Sequence, residues 1–164
     1  MYDRALLTDK LRASHQALKA CLRDLTGEES HRIPSAAEVP PIIWHAGRVA
    51  VMNADVARSA GIAVSPALPP EYRELFKTGT GGATDYPPLA AVTRAVDKTH
   101  ETLERAVAEA TLDAPREVPD GMRLTVEALF VFADDQRWYH IGAITAIRAL
   151  LGKPSLPGIE PIPD

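Results

Sequence analysis

Apolar residues recur at helical spacing in four stretches of the chain. The first stretch, 2–25, has leucines at positions 7, 11, 18, 22 and 25, which lie on one face of an α-helix. The second follows Pro40 and Pro41, runs to about Ser59, and has an apolar face at positions 42, 49, 52 and 56 that also includes His45. These patterns predict the first two helices of the chain.

The other two stretches are longer. The third begins after Pro87 and Pro88, repeats from Leu89 to Val107, and ends before Pro115. The fourth starts at a predicted N-cap, Thr125, and continues without a break to Gly152, with Gln136 and His140 within its apolar face. Because no run alternates with period two, the fold class predicted is all-α, a four-helix bundle.

The connections between these helices are rich in proline and glycine. Residues 28–41 are predicted to form a loop, in which Ser35 and Glu38 cap one short turn. A long irregular connection, 61–82, joins helices two and three and contains one short helix at 71–76. A turn at 119–121 precedes helix four. The domain prediction is a bundle over 1–152 followed by a proline-rich, extended tail over 153–164.

Composition narrows the class of protein. The 164 residues suffice for one domain, and the net charge of −4 comes from 18 basic and 22 acidic residues without a basic block. Nucleic acid is therefore not expected as a partner. The sequence shows neither the apolar core of a signal peptide nor an apolar run long enough to span a membrane. A cytoplasmic location without a membrane partner is therefore predicted. The single cysteine, Cys21, is interpreted as a small buried residue.

Candidate chemistry lies where polar side chains interrupt the apolar faces. Gln136 and His140 are one helical turn apart in helix four, and His45 and Arg48 lie near the start of helix two. All four are predicted to face one interior pocket, with His45 near its edge. Three of them have a structural alternative: His140 is then a buried imidazole bonded to a neighbour, Arg48 extends its head to solvent, and His45 is a helix-packing residue. Asp134 and Asp135 are assigned to the solvated face of helix four, and His15, His31 and His100 are given no function.

Two segments carry a resemblance to a known family. PPIIWHAGRVA in helix two and DDQRWYHIGAITAIRALLG in helix four resemble the signature regions of DinB/YfiT-like four-helix proteins, which include the amino-terminal domain of ergothioneine-forming sulfoxide synthases. The resemblance implies a metalloenzyme in which a Trp-His-x-x-His string and a His-x-x-x-His pair hold a divalent metal by three imidazoles. In this chain Arg48 and Gln136 stand at two of those positions, and His140 stands at the third.

Three functions remain open from the sequence. The first is a bundle that binds a small, anionic ligand in a pocket formed by His45, Arg48, Gln136 and His140. Its metal site is then degenerate, and it holds neither a metal nor another cofactor. The second is an enzyme that transfers, isomerises or hydrolyses a thiol-linked small molecule, with zinc, nickel or iron held by His45, His140 and either Asp135 or Gln136. The third is a structural module that forms a homodimer through its helix faces.

Overall fold

The computed structural model describes residues 2–33, 39–63, 68–83, 85–117 and 121–154. Within these ranges the chain forms six helices and one short hairpin, with four of the helices long enough to build a bundle. The elements are α1 (Arg4–Leu22), α2 (Gly27–His31), α3 (Ile42–Ser59), α4 (Tyr72–Leu75), α5 (Leu89–Glu109), β1 (Pro115–Glu117), β2 (Arg123–Thr125) and α6 (Val126–Leu150). The predicted all-α class is therefore confirmed.

The four long helices follow an up-down-down-up order. Helices α1 and α6 run parallel, since Leu11 and Cys21 of α1 accept hydrogen bonds from Arg137 and Arg148 of α6 in the same order. Helices α1 and α5 run antiparallel and are bridged by ion pairs such as Lys19 with Asp97. Because α3 and α5 point the same way, the chain must return along the whole bundle between them. This return explains the long connection between Ser59 and Leu89.

Local signals account for the helix ends. Asp3 caps α1, because its carboxylate accepts the Leu6 amide at 2.7 Å. Thr125 caps α6 in the same way, with its hydroxyl accepting the Ala128 amide at 3.2 Å, as the sequence predicted. At the other end of α6, Gly152 takes a left-handed conformation with φ of +74°, which stops the helix.

Two elements differ from the sequence prediction. The segment 28–41, predicted as a loop, begins with the short helix α2, whose capping box joins Thr26 and Glu29. The predicted turn at 119–121 lies mostly outside the described residues, and the segments on either side of it form a short antiparallel strand pair that joins Pro115 with Thr125. Three-residue strands are too short to show an alternating pattern, which is why the sequence did not reveal them. The predicted cap at Ser35 and Glu38 and the tail from 155 onward lie outside the described residues, so the division at 152 stays a prediction.

The buried core runs through all four long helices and includes Cys21. One end of the core is closed by Arg148, which is fully buried although it is charged. Its guanidinium donates to the Cys21 carbonyl at 2.7 Å, to the Asp24 carboxylate at 2.6 Å and to the Pro154 carbonyl at 3.0 Å. Arg148 thus fastens the end of α6 to the end of α1. In the described part of the chain, every helix is too short or too polar to cross a lipid bilayer.

Candidate functional site

His45 and His140 meet inside the bundle. His45 lies in the first turn of α3, His140 lies in the middle of α6, and each side chain is 4% exposed. Their Nδ1 atoms are 3.0 Å apart. A hydrogen bond between two ring nitrogens needs a proton on one and a lone pair on the other, so the neutral rings take opposite tautomers. The two helices therefore bring together two imidazoles that are 95 residues apart in sequence.

Both imidazoles are neutral at physiological pH. Burial lowers the pKa of His45 to about 4, with the Pro40 carbonyl opposing the shift. Burial also lowers the pKa of His140 to about 3, and the nearby His45 and Arg48 lower it further. The Nε2 atom of His45 is buried and has no hydrogen-bond partner among the described residues. The pair consequently has one buried ring nitrogen, His45 Nε2, whose hydrogen-bonding capacity the described residues do not satisfy.

Aromatic rings and the α3–α5 connection enclose the pair. The Trp44 ring lies edge-on to both imidazoles, with centroids 5.2 Å from His45 and 6.0 Å from His140. Its Nε1 donates to the Thr80 hydroxyl at 3.1 Å, and Tyr86 donates from its hydroxyl to the Thr80 carbonyl. The connection is therefore packed against the start of α3 at Trp44.

A cavity of about 420 Å³ opens beside Trp44. Its wall is mostly apolar and is contributed by the start of α3, the segment before it, and a glycine-rich part of the α3–α5 connection. The lining residues are Ile33, Val39, Pro40, Trp44, Thr78, Gly79, Gly81 and Gly82. A volume of this size accommodates a small organic molecule.

The four residues predicted for the pocket differ in how deeply the structure buries them. The sequence put His45 at the edge and Arg48 in the lining, whereas in the structure His45 is the buried partner of His140 and Arg48 is half-buried. Among the described residues no carboxylate pairs with Arg48, although its charge reaches His140. Gln136 is half-buried one turn before His140. Arg48 therefore provides a positive charge near the pair that no carboxylate of the described residues neutralises.

The side chains do not match the family's metal site. Two imidazoles are available, but Arg48 and Gln136 occupy the other expected positions, and Arg48 would repel a divalent cation. Asp135, the carboxylate considered for a displaced site, is exposed and lines a surface depression with Tyr2 and Phe132. Within the described ranges, no three His, Cys, Asp or Glu side chains are grouped as a metal site would require. Among the described residues, zinc, nickel or iron would thus find no third His, Cys, Asp or Glu ligand beside the pair.

A second buried polar cluster centres on Arg137, which the sequence analysis overlooked. Its side chain is fully buried, and its Nε and Nη2 atoms donate to the Asn53 side-chain oxygen at 3.1 and 3.0 Å. Nη1 donates to the Leu11 carbonyl at 2.7 Å, and Nη2 lies 3.3 Å from His100 Nδ1. Burial lowers the pKa of Arg137 to about 10, so the group stays charged. This arginine ties α1, α3, α5 and α6 together.

Two histidines that were assigned no role flank Arg137. His15 and His100 stack with centroids 3.8 Å apart, and burial lowers their pKa values to about 4 and about 3. Asp134 also differs from its prediction, because it is 2% exposed rather than solvated. One of its oxygens lies 3.4 Å from Lys10 Nζ, and the other is buried without a described partner. The cluster is therefore a charged network within the core.

The lowered pKa values predict that acid weakens the fold. In the unfolded chain each of His15, His45, His100 and His140 titrates near 6.5, but in the folded chain it titrates near 3 or 4. Between these values the unfolded chain binds more protons, so the stability present above pH 6.5 is lost as the pH falls toward 4. Urea unfolding from pH 7 to 4.5 measures the slope. Replacing His140 with Gln should reduce it by up to about 1.4 kcal/mol per pH unit, and an unchanged slope would contradict a neutral, buried His140.

The fold and this site define a class of protein: a four-helix bundle with a buried pair of histidines between its second and fourth long helices. The family model described as the DinB superfamily matches residues 6–144, and the chain therefore belongs to the DinB superfamily. Comparison with curated proteins and with solved structures gave no significant match.

Proposed function

We propose that the chain binds a small organic anion at the His45–His140 pair, without a metal, and that Arg48 supplies the positive charge. The observation that carries this proposal is the combination of a neutral, buried imidazole pair with a half-buried cation that no described carboxylate neutralises. A carboxylate would accept hydrogen bonds from the Arg48 guanidinium, whose planar fork suits its two oxygens. An imidazole N–H of the pair would donate to the same group.

The surroundings favour a ligand with an apolar part. The cavity beside Trp44 is bounded by Ile33, Val39 and Pro40, and it adjoins the aromatic wall of the imidazole pair. An aliphatic or aromatic carboxylate would place its body against this wall and its charge toward Arg48. The side chains favour this binding function over a metal-dependent enzyme acting on thiol-linked compounds. Asp135 is exposed, and Gln136 carries a neutral amide where that enzyme would need an imidazole or a carboxylate.

Binding of benzoate, compared with uncharged benzyl alcohol, tests the proposal. Calorimetric titration of the parent protein should detect binding of benzoate but not of benzyl alcohol. The Arg48→Met variant should bind benzoate at least about tenfold more weakly, which is the effect of losing a charged hydrogen bond. The bound anion should also raise the pKa of His140, because it offsets the charge of Arg48. Imidazole nitrogen NMR measures that shift.

The matched control is Arg58→Met. Arg58 lies on the same helix as Arg48 and carries the same charge, but its side chain is 58% exposed and contacts Asp55. This variant should bind benzoate as the parent does. Equal binding by the parent and Arg48→Met, or one equivalent of zinc, nickel or iron retained after dialysis, would contradict a metal-independent anion site at Arg48.

A further inference from the structure

A groove of about 730 Å³ lies where the end of α1 meets the start of α5. It is larger than the cavity beside Trp44, and the two share no described lining residue. Its floor is apolar and includes Leu22, Leu25 and Leu89, of which the last two are only half-buried although they pack against the core. The floor therefore leaves apolar surface open to water, with room for a small organic molecule.

Three cationic side chains line the same groove. Lys19 and Arg23 come from the last turns of α1, and Arg94 comes from the second turn of α5. The described lining residues include no acid, although acidic residues outnumber basic ones by 22 to 18 in the whole chain. Positive charge is therefore concentrated at this groove against the balance of the whole chain.

Two of the three positive charges are not neutralised. Lys19 pairs with Asp97, whose carboxylate lies 3.0 Å from its Nζ. Neither Arg23 nor Arg94 pairs with a carboxylate in the described part of the chain. Lys19 and Arg23 are also one helical turn apart, a spacing at which like charges repel each other and weaken a helix. An anion in the groove would offset this excess of positive charge.

We propose that this groove binds a phosphate monoester that carries an aliphatic chain. The phosphate of such an ester has a charge of about −1.5 to −2 at neutral pH, which matches the two guanidiniums that lack a carboxylate. Arginine suits this group, because its planar fork donates two parallel hydrogen bonds to phosphate oxygens. The aliphatic chain would lie over Leu25 and Leu89, the part of the floor that is open to water.

The groove and the imidazole pair select different ligands. Arg48 supplies a single positive charge beside two neutral imidazoles, which suits a monocarboxylate. The groove has two such charges, Arg23 and Arg94, and the start of α5 adds to them. The N-cap residue of α5, Pro88, provides no side-chain hydrogen bond, and the first turn of α5 holds no acid, so the partial positive charge of this helix end is not offset. A dianion therefore fits the groove better than a carboxylate does.

Calorimetric titration with octyl phosphate tests the proposal. The parent should bind it, and Arg23→Met and Arg94→Met should each weaken binding about tenfold, since each removes a charged hydrogen bond. Arg105→Met is the matched control, because Arg105 lies on the same helix as Arg94 and is exposed, but donates to the Ala63 carbonyl at 3.2 Å outside the groove. This variant should bind as the parent does. Binding that is lost in Arg48→Met but withstands both groove variants would assign the ester to the imidazole pair and overturn the proposal.

A comparison with ethyl phosphate tests the role of the apolar floor. Octyl phosphate has six more methylene groups, and their partial burial should make it bind at least about tenfold more tightly than ethyl phosphate. Leu89→Ala should reduce this ratio without weakening the binding of ethyl phosphate, because the cations remain in place. Equal binding of the two esters by the parent would overturn the proposed contact between chain and floor.

Vesicles distinguish a free ester from a membrane surface. Phosphatidic acid presents the same phosphate monoester at the surface of a bilayer. The parent should stay in solution when vesicles of phosphatidylcholine and phosphatidic acid are sedimented, because a chain with a net charge of −4 is repelled by an anionic surface. A parent that sediments with these vesicles but does not bind octyl phosphate would overturn the proposal in favour of a membrane contact.

Discussion

Replacing Asn53 with Leu should destabilise the protein by about 3 to 5 kcal/mol, one of the largest effects expected from a single change in this chain. The Asn53 side-chain oxygen accepts two hydrogen bonds from the fully buried Arg137. Leucine has a similar volume but no acceptor, so it leaves a desolvated guanidinium facing an apolar group. No described carboxylate lies within ion-pair distance of Arg137 to compensate for this loss. Urea unfolding followed by circular dichroism measures the change.

A double-mutant cycle separates this mechanism from a general packing defect. Arg137→Met removes the charge, and the double variant Asn53→Leu with Arg137→Met removes both polar partners at once. Because two apolar side chains can replace a buried polar pair at little cost, the double variant should be more stable than Asn53→Leu alone. A double variant that is less stable by the sum of both single changes would show that the Asn53–Arg137 interaction contributes nothing specific.

The second large effect is expected from Gly47→Ala in α3. A Cβ atom added at Gly47 would lie 2.3 to 2.4 Å from three atoms of the Phe76 ring, well inside van der Waals contact. Phe76 is fully buried and is held by Tyr72 and by Tyr86, which stacks on it at 5.7 Å. The ring therefore has little room to move, and overpacking should cost about 3 kcal/mol. Thermal and urea unfolding both report this loss.

The control for Gly47→Ala is the same substitution at Gly27. Gly27 is the first residue of α2, and an added Cβ there meets no atom within 4 Å. Alanine should be neutral or slightly stabilising at this position, because it lowers the conformational freedom of the unfolded chain. If Gly47→Ala proves as mild as Gly27→Ala, then the close approach of Phe76 to α3 does not occur in solution.

Periodicity predicted the long helices well because α1, α5 and α6 each bury side chains at helical spacing. Leu7, Leu11, Leu18 and Leu22 of α1 and most of the apolar face of α6 lie in the core as their spacing indicates. Short elements behave differently, since α2 spans five residues and each strand of the hairpin spans three. They are defined by local capping and by pairing between segments, neither of which leaves a periodic pattern.

The site was harder to predict than the fold, for a physical reason. Helix α3 is buried on nearly all sides, with 14 of its 18 residues inaccessible, so spacing alone does not tell which polar residue faces α6. The contact with His140 comes from His45, while Arg48, one turn of helix further on, remains half-buried. In the middle of α6, Arg137 is fully buried, whereas its neighbour Gln136 is half-buried. A buried, charged arginine could not be anticipated without the carbonyl and amide groups that other helices bring to it.

The hydrogen bonds of Arg148 to the end of α1 form only after α6 has been synthesised, which affects the order in which the protein folds. Arg148 joins the last long helix to Cys21 and Asp24 at the end of the first one, about 125 residues earlier in the chain. A bundle whose first and last helices are neighbours has contacts between distant parts of the sequence, and such topologies fold more slowly than bundles with only local contacts. During synthesis α1, α3 and α5 leave the ribosome before α6, so the apolar faces that α1 and α3 bury against α6 are still uncovered. The nascent chain therefore depends on the arrival of α6 to bury them, and until then its exposed surface is available to chaperones.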